Sequence, residues 1–170
     1  MILRDLFEND DNAHRAALEQ TGFWGSQGAG CIIMAQTTGR ILLCHRSRYV
    51  QEPHTWGNWG GAIDSHENPK DAAAREVEEE TGYTGSIKLL PLNVFEKGSF
   101  RYHNFLAVVP NEYEANAHPD HAWESQGHGW FDYGNWPTPL HFGLESLFND
   151  PTALKVIEGI LETIPNENAR

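Results

Sequence analysis

Three glutamates stand close together in one short stretch of the chain, and we call Glu76, Glu79 and Glu80 the helix glutamates. At roughly 100° per residue, these three side chains fall within about a third of a helical turn of one another. Like charges at such spacings destabilise a helix, and no Lys or Arg is interleaved, so the cluster favours an external cation. Because its donors are all oxygens, we expect Mg²⁺ or Mn²⁺. A solvated acidic helix face is the alternative interpretation.

The residues around the helix glutamates predict a helix with defined ends. Asn68 suits the N-cap, Pro69 suits the first turn, and Gly82 stands where a left-handed terminus is expected. Three alanines and a run of good helix formers lie between them. Such a helix presents the carboxylates together on one side.

The spacing of residues across 61–83 resembles the Nudix box. Five residues separate Gly61 from Glu67, seven more precede Arg75, and the run then continues as REVEEETG. Every fixed letter of the pattern G-x5-E-x7-R-E-U-x-E-E-x-G-U matches, where U is a bulky aliphatic residue. Tyr83 occupies the last position, where an aliphatic residue is usual, and this departure concerns local packing.

The loop before the box departs from the family pattern at two positions. Trp59 stands where proline is common, and His66 stands where a glycine often precedes the first glutamate. Neither residue replaces a carboxylate. The resemblance therefore implies a reshaped loop beside an intact acidic cluster.

The resemblance also implies roles for particular residues. The helix glutamates would bind the metal, and a backbone carbonyl at Gly61 would complete the metal shell. An ion pair between Glu67 and Arg75 is expected to pin the loop against the helix, which is a structural role. By similarity the catalytic residues are Glu76, Glu79 and a loop glutamate, for which Glu124 is our candidate. Whether Glu76 or Glu124 is the general base is left open.

Three residues near the predicted pocket are candidates for substrate contact. Arg46 and Arg48 follow a predicted strand, and either guanidinium could bind a phosphate, although surface charges beyond a strand end are the commoner case. Trp59 could stack on a base, although packing in the core is the more frequent use of tryptophan.

Three histidines at positions 118, 121 and 128 lie in one polar segment. Zinc is disfavoured there, because no cysteine pair is nearby to complete four ligands. A role as acid, base or phosphate contact and a solvated loop position are the other two interpretations.

Hydrophobic patterning predicts an α/β fold. Residues 28–46 predict two strands around a turn at 37–39, and 86–95 and 100–109 predict two more strands. The long polar connection at 110–129 is typical of a functional loop and precedes a strand-like segment that starts at Trp130.

The chain fits one domain, 1–170, with a core at about 28–148. A helical extension is predicted at about 1–22, from spacing that includes Leu3, Leu6 and Phe7, and its roles as dimer contact, lid or packing stay open. The tail predicts a short helix around Leu144, Leu147 and Phe148 and a second helix at about 151–164. The Nudix resemblance implies an α/β/α sandwich with a mixed sheet.

The composition restricts partners and location. A net charge of −12 disfavours binding to duplex nucleic acid, and it would repel phosphates unless cations reverse the local field. Cys31 and Cys44 show no CxxC spacing and are expected to be reduced core residues. We find neither a transmembrane run nor a basic-then-apolar leader, so the cytoplasm is the expected location.

The resemblance implies metal-dependent hydrolysis of a phosphoanhydride in a nucleoside diphosphate linked to another group. A nucleotide sensor without turnover is the alternative, although sensors of this type tend to lose helix glutamates. An isopentenyl-diphosphate-type isomerase would need a catalytic cysteine, and both cysteines are expected to be buried. Residues 97–100 lack the proline or tyrosine that marks two substrate subtypes, so the substrate stays open.

Overall fold

The computed structural model describes residues 12–20, 22 and 25–165, so the predicted spacing of Leu3, Leu6 and Phe7 lies outside the described residues. Residues 12–20 are helical and are named α1. The further elements are β1 (Gln27–Ala35), β2 (Ile41–Arg46), β3 (Trp56–Gly57), β4 (Trp59–Ala62), α2 (Pro69–Thr81), β5 (Lys88–Lys97), β6 (Phe100–Val109), a 3-10 helix (Ala122–Glu124), β7 (Ser125–Phe131), α3 (Phe142–Phe148) and α4 (Pro151–Leu161). Across the described residues, no helix has the length and apolarity needed to span a bilayer.

Within the described residues, seven strands form one mixed sheet. Its main path runs β3-β2-β1-β6-β5, with β4 paired to β1 and β7 paired to β2. β1 and β6 are parallel along the whole of β1, whereas the other pairings are antiparallel. The predicted hairpin is confirmed as β1 and β2, and the next predicted strand pair as β5 and β6.

The edge of β1 that faces away from β6 is shared by two strands, which opens a fork in the sheet. Ile33 and Met34 pair with β2, whereas the stretch from Gly28 to Cys31 pairs with β4. β4 leads out of this fork at Ala62 into the loop before α2. The fork therefore fixes where α2 starts relative to the sheet.

Helices cover both faces of the sheet. Ile33 of β1 packs with Val77 of α2 in one buried cluster, and Ile32 of β1 packs with Ile157 of α4 in the other. Neighbouring residues of β1 serve opposite faces because side chains alternate along a strand. The predicted α/β/α sandwich with a mixed sheet is confirmed.

Two predicted elements have different bounds. β7 starts at Ser125 rather than at Trp130, because its backbone pairs with β2 along the whole strand and this pairing outweighs its polar composition. α4 ends at Leu161 rather than at 164, where the backbone continues in turns with Thr163 N donating to Ile160 O at 3.0 Å. Because β7 starts earlier than predicted and a 3-10 helix precedes it, the part of the 110–129 connection without secondary structure is shorter than predicted.

Candidate active site

Helix α2 begins and ends where the sequence predicts. Asn68 has extended backbone angles, and its side-chain oxygen accepts a hydrogen bond from Asp71 N at 2.9 Å. Gly82 is left-handed with φ 71°, and its N–H donates to Glu78 O at 2.8 Å. Both caps form within the local segment, so the helix glutamates have fixed relative positions.

The end of β4 runs directly against the helix glutamates. A Cβ atom added at Gly61 would lie 2.5 Å from Glu76 Oε1, so a side chain there would displace that carboxylate. The backbone N–H of Gly60 donates a hydrogen bond to Glu80. Gly61 therefore lies beside the acidic cluster, and its carbonyl as a metal ligand stays a prediction.

Arg75 lies at the centre of a group of carboxylates, the helix glutamates and Glu67, which we call the acidic cluster. Its Nε and Nη2 donate to the two oxygens of Glu67 at 2.6 and 3.0 Å, which is the predicted ion pair in bidentate form. Its Nη1 donates to Glu76 Oε1 at 3.0 Å and to Glu79 Oε2 at 2.9 Å. The inference that no cation is interleaved is therefore wrong for Glu76 and Glu79. The sequence held the signal, because Arg75 precedes Glu79 by four residues and such pairs are neighbours on a helix.

Glu80 carries a buried oxygen without a partner. Among buried side-chain nitrogen and oxygen atoms of the described residues, Glu80 Oε2 alone lacks a hydrogen bond. Burial raises the pKa of Glu80 well above its ordinary value, the charges of Glu76 and Glu124 raise it further, and the Gly60 N–H opposes the shift. An unpaired buried carboxylate is costly, so this atom favours a cation.

Glu76 is buried, with 7% of its surface exposed. Burial raises the pKa of Glu76 to about 7, and although Arg75 opposes the shift, the negative charges of Glu79 and Glu124 add to it. The pKa values of Glu76 and Glu80 are thus raised by the same two causes, which are burial and the charges of neighbouring carboxylates.

We expect the metal-free protein to lose stability as pH rises, because of Glu76. The folded state keeps a proton on Glu76 up to about pH 7, whereas an unfolded chain releases it near 4.5. Stability from this group is therefore present at pH 5 and lost by pH 8, a change of about 2 kcal/mol. Urea unfolding in EDTA, compared between wild type and Glu76→Gln across this range, measures it.

The comparison with Glu76→Gln is needed because His141 titrates in the opposite sense. Burial lowers the pKa of His141 to about 4, so stability from His141 falls as pH drops below 6.5. Both proteins share that effect, and it cancels in the difference. Equal pH dependence of the two proteins would show that Glu76 ionises normally.

The structure brings Glu124 to the helix glutamates from a distant part of the chain. Glu124 is the last residue of the 3-10 helix, and its backbone O accepts a hydrogen bond from Ser47 N at 2.9 Å. Its charge raises the pKa of both Glu76 and Glu80, and the imidazole of His121 lies 3.1 Å from Glu124 and 3.6 Å from Glu79. The sequence prediction singled out this residue for its place before a strand, and the 3-10 helix ends directly at β7.

The other acidic residues of the connection are paired elsewhere. The pairs are Glu112 with Arg40 at 3.1 Å, Glu114 with His128 at 3.0 Å, and Asp120 with His118 at 3.6 Å. His118 and His128 therefore face separate carboxylates, while His121 faces Glu124. Sequence reasoning missed this last contact, because it depends on the turn that folds His121 back on Glu124.

The two arginines beyond β2 have different surroundings. Arg46 donates from Nε to Gln51 O at 3.0 Å, and its positive charge lowers the pKa of Glu80. Arg48 extends over the ring of Tyr49, with 5.2 Å from Cζ to the ring centroid. Arg46 is thus the better placed of the two predicted phosphate contacts.

Trp59 is a core residue and not the substrate contact that we predicted. It is 1% exposed, and its Nε1 donates to Leu42 O at 2.9 Å. The indole fills the buried cluster under α2 and has no free face for stacking. The reason is its position in β4, which is hydrogen-bonded into the fork beside β1.

The oxygen donors of the helix glutamates suit a divalent cation, although Arg75 now lies among them. In the part of the chain that the structure describes, no three His, Cys, Asp or Glu side chains are spaced as metal ligands, and Arg75 Nη1 occupies the space between Glu76 and Glu79. The donors nevertheless fit a hard cation, because they are all carboxylate oxygens and Glu80 Oε2 lacks a partner. A cation in place of the Arg75 contact would relieve the crowding that raises the carboxyl pKa values.

Helix α1 contacts the loop between β4 and α2. His14 Nε2 lies 3.2 Å from Asp64 Oδ1, and Asp64 N donates to Glu67 Oε2 at 3.2 Å. The N-terminal helix therefore touches the same loop that Arg75 holds. Of the three roles left open for the extension, this contact favours packing.

Comparisons with known proteins agree on one family for this chain. A family model described as NUDIX domain matches residues 26–148, which is more than half of the chain. The CMP-5'-(N-acetyl-N-hydroxy-3-aminopropyl)phosphonate hydrolase of Streptomyces rubellomurinus is 43% identical over 61 residues, 36% of this chain and 30% of that protein. The putative 8-oxo-dGTP diphosphatase 3 of Mycobacterium tuberculosis is 41% identical over 64 residues, 35% of this chain and 30% of that protein. The chain thus spans less than a third of these curated relatives.

A solved structure extends the likeness over most of the fold. The crystal structure of a Nudix hydrolase from M. smegmatis matches with a TM-score of 0.63 and 25% identity, covering 86% of this chain and 92% of that chain. The box spacing, the sandwich and the acidic cluster agree with this likeness. The chain therefore belongs to the Nudix hydrolase family.

Proposed function

We propose that this protein hydrolyses a phosphoanhydride bond in a nucleoside diphosphate linked to another group, with Mg²⁺ or Mn²⁺ as cofactor. The observation that carries the proposal is the unpartnered Glu80 Oε2, buried beside Glu76 and Glu124. The names of the two curated relatives refer to nucleotides, a CMP derivative and 8-oxo-dGTP, which supports a nucleotide-type substrate.

The helix glutamates would hold the cation, together with the carbonyl of Gly61. When bound, the cation neutralises charge on the diphosphate and makes a water molecule more acidic. This neutralisation matters because the chain carries a net charge of −12 and would otherwise repel a diphosphate. Arg75 holds Glu67 and the loop before the helix in register.

A carboxylate beside the cluster would accept the proton of the attacking water. Glu124 is well placed, since it comes from outside the box helix and its carboxylate lies 3.1 Å from the His121 imidazole. Glu76 is the second candidate, although Arg75 already contacts its Oε1. Arg46 would contact a substrate phosphate near Glu80, and Arg48 would contact a phosphate at the outer edge of the site.

Two other functions fit the described residues less well. A sensor without turnover would not need the helix glutamates, and all three are present. An isomerase would need a reactive thiol, but Cys31 and Cys44 are buried, and burial beside Glu80 raises the pKa of Cys44 to about 12.

The decisive experiment is a Mg²⁺-dependent hydrolysis screen of nucleoside triphosphates, nucleotide sugars, dinucleotides and ADP-ribose. We expect Glu79→Gln to slow the reaction about 100-fold, because it loses one metal-binding charge while Arg75 still has other carboxylates to bind. Equal rates for wild type and this variant would refute the metal site. Tight binding of a nucleotide without turnover would support the sensor instead.

We further propose a cytoplasmic location and a small-molecule partner. Cys31 and Cys44 are free thiols, as expected for a reducing compartment. The acidic composition disfavours duplex nucleic acid. A homodimer stays a prediction, which light scattering of the purified protein would test.

A further inference from the structure

The segment that carries Glu124 is attached to the end of α2 by its backbone. Asn116 N donates to Thr81 O at 2.8 Å, and His118 N donates to Glu79 O at 2.8 Å. These are carbonyls of the last turn of α2, which a helix leaves without intrahelical donors. The segment is therefore fixed against the box helix before the chain reaches Glu124.

From this attachment the chain turns back in a short 3-10 helix. His121 N and Ala122 N both donate to His118 O, at 2.8 and 3.0 Å, and Glu124 N donates to His121 O at 3.1 Å. This turn places the side chains of His121 and Glu124 together. His121 Nδ1 lies 3.1 Å from Glu124 Oε1, and a carboxylate only accepts, so the imidazole donates.

The other nitrogen of the same imidazole faces the box helix. His121 Nε2 lies 3.6 Å from Glu79 Oε2, which is longer than a hydrogen bond but within range of an ionic contact. All three side chains are about 30% exposed, so they are partly shielded from water. His121 thus lies between the loop carboxylate and a carboxylate of α2.

We propose that His121 is a positioning residue that holds the Glu124 carboxylate toward the helix glutamates, a role that rests on the proposed function. A glutamate side chain has several rotatable bonds, and a single charge-assisted hydrogen bond selects among its rotamers. The backbone attachment sets the distance of the segment from α2. The imidazole sets the direction of the carboxylate.

The test is a double-mutant cycle with His121→Leu and Glu124→Ala. Residues that act through a ligand or base typically contribute about 10- to 100-fold, so we expect His121→Leu to lower kcat by about that factor with KM nearly unchanged. In the Glu124→Ala background the same change is expected to have no further effect, because no carboxylate remains to be positioned. His121→Gln, whose amide can donate, is expected to recover part of the rate.

His128→Leu is the matched control, because His128 also contacts a glutamate, Glu114, but none of the catalytic candidates. It is expected to leave kcat unchanged. The inference is overturned if His121→Leu is as active as wild type, or if it slows both backgrounds equally. A wild type without activity on any substrate would instead refute the proposed function.

A second readout decides the inference without a metal or a substrate. Urea unfolding of the same four proteins in EDTA measures the coupling between His121 and Glu124 directly. We expect the effect of His121→Leu on the unfolding equilibrium to be smaller once Glu124 is alanine. Additive effects would overturn the inference whatever the activity.

Discussion

Glutamine in place of Glu80 is expected to lower kcat for metal-dependent hydrolysis about 1,000-fold and to stabilise the metal-free protein. Both effects have one cause. Glu80 Oε2 is buried without a partner, and Glu76 and Glu124 crowd it with negative charge. In EDTA a negative charge on this crowded carboxyl group only costs free energy, so replacing the group by a neutral amide raises the free energy of unfolding by about 1 kcal/mol. With Mg²⁺ the same charge is the one that the cation needs.

Glu78→Gln is the matched control for this experiment. Glu78 lies on the same helix but is exposed, and its backbone O, not its side chain, serves the C-cap. We expect its activity and stability to stay near those of wild type. If Glu80→Gln hydrolyses substrate as fast as wild type at saturating Mg²⁺, the assignment of the metal site is wrong.

Methionine in place of Arg75 is expected to lower the free energy of unfolding in EDTA by about 3 kcal/mol. Burial opposes the charge of Arg75, but the hydrogen bond with Glu67 and the charges of Glu76 and Glu79 outweigh it and raise the pKa of Arg75. Without the guanidinium, these carboxylates and the Ala62 carbonyl, which accepts from Nη2 at 3.0 Å, lose their donor. Urea unfolding measures the loss, and Mg²⁺ is expected to recover part of it by binding the freed carboxylates.

Arg101→Met provides the comparison for Arg75→Met. Arg101 also pairs with a glutamate, Glu96, at 3.0 Å, but both side chains are more than half exposed. Exposed pairs contribute less than about 1 kcal/mol, so this variant should unfold nearly like wild type. A loss for Arg75→Met no larger than that for Arg101→Met would show that Arg75 does not hold the acidic cluster together.

Local interactions explain which features could be predicted from the sequence. Asn68 and Gly82 cap α2 through contacts within a few residues, so the length of the helix follows from the amino acids there. The Glu67–Arg75 pair also joins residues of one segment. The strands β1 and β2 pair across a short turn, which makes a hairpin predictable from two apolar runs and a glycine.

Contacts between distant segments explain the predictions that failed or could not be made. Trp59 is buried because β4 pairs with β1 in a fork whose other branch is β2, and nothing near Trp59 in the chain shows this. β7 begins at Ser125 because β2 supplies its hydrogen bonds. Arg75 is the exception, since its contact with Glu79 follows from helical spacing alone.

By itself, the sequence determined the box helix, the carboxylates that it presents and the mixed α/β architecture, because helix caps and strand patterns depend on neighbouring residues. Only the tertiary structure decided which carboxylate oxygen of the described residues lacks a partner, that Arg75 contacts two of the three helix glutamates, and that His121 contacts Glu124. Burial and charge at each carboxyl group depend on segments that the chain brings together from far apart, and burial and charge set its pKa.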